Sequence, residues 1–284
     1  MAASFESAAL KASELGANTF QIFSSSPRMW RASVPGVEQV RLLCRARERL
    51  DLYPLAVHCN YLVNLASPDA VIRARSIAAF RSELERAALL GAEFLVAHPG
   101  SYKGQTPEEG ITAFADGLRH AADGIDRKSP TVLLENTAGC GAQIGGRFEE
   151  LRAIRERALE LTDLRVGYCL DTCHLLAAGY DVSSEDGLRA TMRQAERVLG
   201  MTHVRLIHAN DSKAPLGSHL DRHENIGNGY IGSAGFRRIL AHPKLRSKPF
   251  ILETPVEQDG DDRRNLENLK KLCPKSRTTI TKSS

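Results

Sequence analysis

The sequence predicts an α/β chain of parallel strands alternating with helices, and three observations carry that prediction. Short apolar runs alternate with longer segments of helical apolar spacing along the whole chain. Six of the runs end on a side chain able to bind metal: Leu55–His58, Phe94–His98, Thr131–Glu135, Val166–Asp171, Val204–His208 and Phe250–Glu253. Successive ends lie 36 to 45 residues apart, the length of a strand, a helix and two loops. Right-handed crossovers through such helices leave neighbouring strands parallel. When a ladder of this kind closes into a (β/α)8 barrel, every strand C-terminus opens on one face, so residues distant in sequence share one site.

Taken in order, Ala8–Leu15 has helical spacing and leads into a strand-like Thr19–Phe23. Helical segments Val37–Leu50 and Ala70–Leu90 precede the runs ending at His58 and His98. Thr112–Ile125 and Phe148–Glu160 precede those ending at Glu135 and Asp171, and Leu188–Leu199 and Ala234–Leu240 those ending at His208 and Glu253. No linker divides the chain, so residues 1–273 are expected to form one barrel domain. Pro274–Ser284 combines lysines with Ser and Thr and has no apolar period, which predicts a disordered, solvated C-terminal tail over 274–284. The strands number seven, whereas the closed barrel has eight. The first strand is the missing one: it belongs before Ser4, where only Met1–Ala3 remain, and two open sheet edges are expected.

With 284 residues, 42% hydrophobic and 25% charged, the chain is long enough to bury a substantial core, which argues against disorder. Met1–Gly16 lacks the apolar centre of a signal peptide and no stretch is long enough to span a bilayer, so a soluble, cytoplasmic protein is expected. The six cysteines include no C-x-x-C pair, and reduced thiols are expected rather than disulfides. A formal net charge of +4 suits a polyanionic partner but is too modest to identify one.

Imidazole nitrogen and carboxylate oxygen are both zinc donors, and a multinuclear site needs carboxylates to bridge cations and offset their charge. The candidate metal ligands are His58, His98, Glu135, Asp171, His174, His208, Asp221, His223 and Glu253. A lone histidine at a strand end is ordinarily a hydrogen-bonded structural residue; nine such groups converging on one face favour a polymetal centre, because unpaired buried carboxylates are costly. His120, His203, His219 and His242 fall outside the pattern and read as surface or structural, and Cys169 and Cys173 as packing residues.

These residues sit in long ordered motifs: His58-Cys-Asn-Tyr-Leu-Val-Asn-Leu65, His98-Pro-Gly-Ser101, Leu134-Glu-Asn-Thr-Ala-Gly139, Leu170-Asp-Thr-Cys-His174, His208-Ala-Asn-Asp-Ser-Lys213, and Asp221-Arg-His223 with Ile226-Gly-Asn-Gly229. From about Ser4 to Leu272 the chain resembles the endonuclease IV family of abasic-site DNA repair enzymes. The resemblance implies a TIM-type (β/α)8 barrel with three zinc ions, manganese or iron being acceptable to the same donors. It implies hydrolysis of the phosphodiester 5′ to an abasic site by a metal-activated hydroxide, leaving a 3′-hydroxyl and a 5′-deoxyribose phosphate. Carried over by motif, His58, His98 and Glu135 hold one ion, and Glu135 bridges to a second completed by Asp171, His208 and Glu253. His174, Asp221 and His223 hold the third, and Glu135 and Glu253 are the carboxylates closest to the chemistry.

The same resemblance implies a monomer that acts on double-stranded DNA containing abasic sites, without a membrane or an obligate protein partner. Side chains that wedge into the minor groove match Arg28, Tyr61 and Leu62. Trp30 is expected to brace the Arg28 loop, and Lys213 and Arg222 to face phosphates or form rim ion pairs. Two other readings compete. A sugar isomerase or epimerase of the xylose isomerase-like barrel group needs only Glu135, Asp171, His208 and Glu253, which leaves the other five ligands without a purpose. An inactive DNA-binding remnant is the second, since the family's Gly-x-His-x-Ser segment, expected in the first strand, is missing.

Overall fold

A computed structural model of the chain describes residues 4–26, 29–30, 33–126 and 129–274. The elements run α1 (Phe5–Glu14), β1 (Phe20–Phe23), α2 (Val37–Leu50), β2 (Leu55–His58), α3 (Ala70–Leu89), β3 (Phe94–Ala97), α4 (Pro107–Ala122), β4 (Thr131–Glu135) and α5 (Phe148–Leu161). They continue with β5 (Val166–Asp171), α6 (Thr172–Ala177), α7 (Glu185–Val198), β6 (Val204–His208), β7 (Asp211–Ser212), β8 (His223–Glu224), α8 (Gly232–Ala241), β9 (Phe250–Ile251) and α9 (Asp261–Leu272). Seven strands form one parallel sheet in the order β1-β2-β3-β4-β5-β6-β9, and β7 and β8 form a separate antiparallel pair.

Helix starts follow local capping chemistry. The Asp69 side chain accepts from the backbone N–H groups of Val71 and Ile72 to open α3, and Ser184 accepts from Gly187 to open α7. Thr106 and Glu109 form a reciprocal capping box with Pro107 in the first turn, so α4 begins five residues before the predicted Thr112.

Strand alternation sorts the core into two layers. Ala56, Phe94, Val96, Leu133, Cys169, Leu206 and Ile251 form a compact cluster inside the barrel. Their neighbours Leu55, Val57, Leu95, Val132, Leu134 and Ile207 face the helices in the larger outer core. Two residues beyond an interior position lies another interior position, at the strand's C-terminal end. Ala56, Val96, Leu133, Cys169, Leu206 and Ile251 therefore stand directly below His58, His98, Glu135, Asp171, His208 and Glu253. Cys169 packs fully buried in the interior, on the same side of the strand as Asp171.

Among the described residues no strand joins β1 to β9, as the count of seven predicted. A cavity of about 500 Å³ lies between these two edges, lined by Phe20, Ile22, Phe250 and Leu252 together with α1 and α9. The gap is spanned at its upper end by the Gln21 side chain, whose Nε2 donates to Glu253 Oε1 at 2.6 Å. Lower down, Lys11 pairs with Asp262 at 2.7 Å and Lys270 donates to the Gly16 carbonyl. Among the described residues no helix is long and apolar enough to cross a membrane. The tail predicted beyond Pro274 lies outside the described residues.

Candidate metal centre

The six strand-end ligands meet His174 of α6, Asp221 and His223 of β8 at the C-terminal mouth of the barrel. His58, His98 and Glu135 present donor atoms within 4.8 Å of one another, and so do Glu135, Asp171, His208 and Glu253. Glu135 belongs to both groups: Oε2 lies 3.2 Å from His58 Nε2 and 3.6 Å from His98 Nε2, and Oε1 lies 3.0 Å from His208 Nδ1. This carboxylate is completely buried.

The third predicted trio is arranged somewhat differently. Asp171, His174 and His223 form one group of mutually close donors and Cys173, Asp221 and His223 another. Asp221 joins the two imidazoles pairwise, 3.2 Å from His174 Nε2 and 3.4 Å from His223 Nε2. Asp171 contributes to both the second and the third groups, because it ends β5 and simultaneously caps the short α6 by accepting from His174 N–H at 2.8 Å. That cap turns His174 back toward Asp171, a juxtaposition that the Asp-x-x-His spacing encodes directly.

The residues present fit metal ions. The Nε2 atoms of His174 and His223 are buried without a hydrogen-bond partner, since Asp221 is near them but poorly aligned. Their Nδ1 atoms instead face the carbonyls of Asn136 at 2.9 Å and Glu253 at 3.0 Å. His58 Nδ1 likewise faces the Cys59 carbonyl at 2.8 Å. In each case a carbonyl holds the proton on Nδ1, which leaves the Nε2 lone pair directed into the site, the arrangement typical of metal-binding histidines.

Charge supports the same conclusion. Burial alone would raise the Glu135 carboxyl, but the charges of His208 and His98 and hydrogen bonds from His174 and His208 hold it well below the usual carboxylate range. Burial likewise opposes ionisation of Glu253, yet the His208 charge and hydrogen bond bring it down to about 2. Burial would lower His174 and His208; instead Asp171, Asp221 and Glu135 lift His174, and Cys169, Glu253 and Glu135 lift His208, both well above the ordinary imidazole value. Metal binding at these imidazoles therefore competes with protons.

Three amides complete the site, and the sequence reading overlooked them. Asn136 Oδ1 accepts from Asp171 N–H at 2.7 Å. Asn210 Nδ2 donates to Asp171 Oδ2 at 2.5 Å and its Oδ1 accepts from Glu253 N–H at 2.7 Å. Both asparagines stand inside motifs already singled out, next to Glu135 and two residues after His208. Gln21 carried no such signal, because its strand ends on Phe23 rather than on a ligand. Its Oε1 accepts from His208 Nε2 at 3.0 Å while its Nε2 donates to Glu253. One amide therefore fixes the tautomer that frees His208 Nδ1 and steadies the carboxylate beside it. Replacing Gln21 with leucine is expected to weaken metal binding by about 10- to 100-fold, measured by competition against a chromogenic chelator.

A cavity of about 300 Å³ opens beside the ligands and is lined by His98, His174 and Asp221, with Tyr61 at its rim. Tyr61 is 60% exposed, and its ring lies 5.3 Å from Phe23 and 5.5 Å from His58. Partial desolvation and the charges of Glu253 and Glu135 push its phenol up to about 12, so it stays neutral. Leu62 is half-buried behind it. Arg28 lies outside the described residues, and Trp30 is half-buried. Lys213 is 3.9 Å from Glu257 and Arg222 donates to the Asp221 carbonyl at 2.7 Å, so both have protein partners at the rim. His219 faces the Ala138 carbonyl at 3.0 Å, His120 and His203 face arginines, and His242 accepts from Lys244 N–H.

Comparison with known proteins places the chain among relatives of the same fold. The family described as the xylose isomerase-like TIM barrel matches residues 9–273. A protein of Solibacter usitatus named probable endonuclease 4 is 66% identical over 270 residues, covering 95% of this chain and 93% of that one. A namesake in Chloroflexus aurantiacus is 40% identical over 262 residues, covering 91% and 90%. The crystal structure of endonuclease IV from Thermus thermophilus superposes with a TM-score of 0.82 at 39% identity, covering 94% of this chain and 93% of that one. A D-tagatose 3-epimerase-like protein shares the fold alone, at 19% identity and a TM-score of 0.67 over 95% and 94%. Barrel, ligand arrangement and relatives converge, and the chain belongs to the endonuclease IV family.

Proposed function

We propose that the protein is a zinc-dependent abasic-site endonuclease that acts as a monomer in the cytoplasm on double-stranded DNA, cutting the phosphodiester 5′ to the lesion. The observation that carries this reading is Glu135, a buried carboxylate shared between a His58–His98 group and an Asp171–His208–Glu253 group. The competing sugar isomerase or epimerase reading uses only the second group, Glu135, Asp171, His208 and Glu253. The first group, with His174, Asp221 and His223, gives the mouth capacity for more than one cation, as phosphodiester hydrolysis uses.

In this reading His58, His98 and Glu135 hold one zinc, Glu135, Asp171, His208 and Glu253 a second, and His174, Asp221 and His223 a third, with manganese or iron as substitutes. When bound, the cations lower the pKa of water and neutralise charge on the phosphoryl and departing 3′-oxygens. The protein's part is positional. Glu135 would be shared between two cations and Glu253 would hold one of them, while Gln21, Asn136 and Asn210 hold the ligands in place. Tyr61 and Leu62, with Arg28 from the neighbouring loop, enter the minor groove and present the abasic sugar to the cavity.

The test is a labelled duplex bearing one abasic site. Incision leaving a 3′-hydroxyl that a polymerase extends, abolished by chelation and restored by zinc, is the expected result, with three zinc equivalents per chain by mass spectrometry. A protein loaded with two or more equivalents that leaves the duplex intact and turns over ketoses instead would sink the proposal.

A further inference from the structure

The loops after β1 and β2 supply the three residues assigned to probe DNA, and one buried side chain connects them. Asn60, 6% exposed, directs both hydrogens of its Nδ2 across to the other loop, to the Ser26 carbonyl at 3.3 Å and the Met29 carbonyl at 2.5 Å. Met29 N–H donates to the Ser26 carbonyl at 3.2 Å, so the two carbonyls that Asn60 holds are linked to each other. On its own loop Asn60 Oδ1 accepts from Leu62 N–H at 2.8 Å, which leaves Tyr61 projecting between them.

Both loops rest on α3. Ser24 donates to Glu83 and accepts from Arg86 Nε at 2.8 Å, and Glu83 and Arg86 pair at 2.8 Å, all three being buried. Asn64 N–H donates to Ser76 Oγ at 2.9 Å, and the Asn64 side chain bonds Ser101 N–H and the Ser101 carbonyl, each at 3.0 Å. Gly100 admits that side chain, since a Cβ there would strike Asn64 Oδ1 and the backbone has φ +88. With both bases anchored on α3, the amide of Asn60 bonds one loop to the other.

We infer that Asn60 is a positioning residue for lesion recognition, tying the loop after β1, at Ser26 and Met29, to the loop that carries Tyr61 and Leu62 so that the two loops meet DNA together. The inference rests on the abasic-duplex reading and deepens it. Inserting side chains between bases works against stacking, and a preorganised wedge avoids adding the cost of ordering two loops.

Two substitutions separate this role from ordinary loop bracing. Asn60→Asp keeps the size and the acceptor for Leu62 N–H but sets a carboxylate oxygen against the Ser26 and Met29 carbonyls. Asn60→Ala removes both connections. The metal-loaded enzyme is compared with both variants at fixed salt, for incision and for bound metal. Chelated protein is compared for affinity to abasic and intact duplexes by fluorescence anisotropy. Both variants are expected to raise KM for the abasic duplex about tenfold with kcat within about threefold, and to lower the abasic-to-intact affinity ratio about tenfold with metal content unchanged.

An Asn60→Asp protein with the wild-type KM and affinity ratio would confine Asn60 to its local turn and overturn the inference, as would equal losses of metal and activity. Asn60→Asp preserves the local turn and so remains decisive where Asn60→Ala does not fold. Failure of the wild-type protein itself to incise would strike the functional reading instead.

Discussion

Glu135→Gln is expected to reduce incision by about 10³-fold, equivalent to roughly 4 kcal/mol of lost transition-state stabilisation, and to leave the protein short of at least one metal equivalent. The substitution preserves shape, so its effect is electrostatic. Glu135 is completely buried, and four imidazoles approach its two oxygens: His58 at 3.2 Å, His98 at 3.6 Å, His174 at 3.4 Å and His208 at 3.0 Å. A neutral amide offers one acceptor where two ligand groups each need an anionic oxygen, and its NH2 would face imidazole nitrogens or cations. The adjacent carboxylates Asp171 and Glu253 survive, so partial metal loading is expected rather than none. Single-turnover incision at saturating enzyme, paired with metal analysis of the same sample, checks both parts. A variant retaining full metal and a rate within tenfold of wild type would show that Glu135 does not link the two groups.

Asp211→Asn is expected to destabilise the folded protein by about 3 kcal/mol, although Asp211 is no metal ligand. Its fully buried carboxylate accepts from five backbone N–H groups: Ser212 at 2.8 Å, Gly227 at 2.9 Å, Gly229 at 3.1 Å, Ile231 at 2.9 Å and Gly232 at 3.2 Å. These contacts fasten the segment from residue 227 to 232 against β7, and a Cβ on Gly229 would collide with Asp211 and the Ser212 carbonyl. Charge-assisted bonds of this kind are the stronger class, and an amide turns half the acceptor surface into donors pointed at donors. Because β7 pairs with β8, which begins at His223, weaker affinity at the His223 group should accompany the loss of stability. Urea unfolding with and without saturating zinc separates the two effects. An unchanged midpoint in both conditions would count against this account.

How much of this was legible in the sequence depended on whether one residue carried two signals at once. A strand such as Val204–His208 announced itself because its inward residues are apolar and its last one is a ligand. The third group was harder, because Asp171 ends β5 and starts α6, and six residues are too few to show a helical period. The two-residue strands β7 and β8 have no pattern to read, being held by Asp211 and its partners rather than by alternation. Helix α9, Asp261–Leu272, was missed because its run of Asp, Arg, Glu and Lys leaves only a thin apolar stripe around Leu269. Gln21 was invisible for another reason: its importance comes from His208 and Glu253, both more than 180 positions away and brought alongside only by the curvature of the sheet.

The two-residue step between the interior cluster and the ligands also constrains how this molecule can vary. Deleting one residue ahead of Leu133 in β4 would rotate Leu133 and Glu135 outward together, exchanging the hydrocarbon filling and the chemical group in a single move. A lineage therefore cannot drift in strand length while merely losing activity, since such a drift breaks the fold in the same event. Loss of function without collapse has to arrive by point substitution at the mouth, and decayed copies of this gene should keep their strand lengths intact long after their histidines have gone.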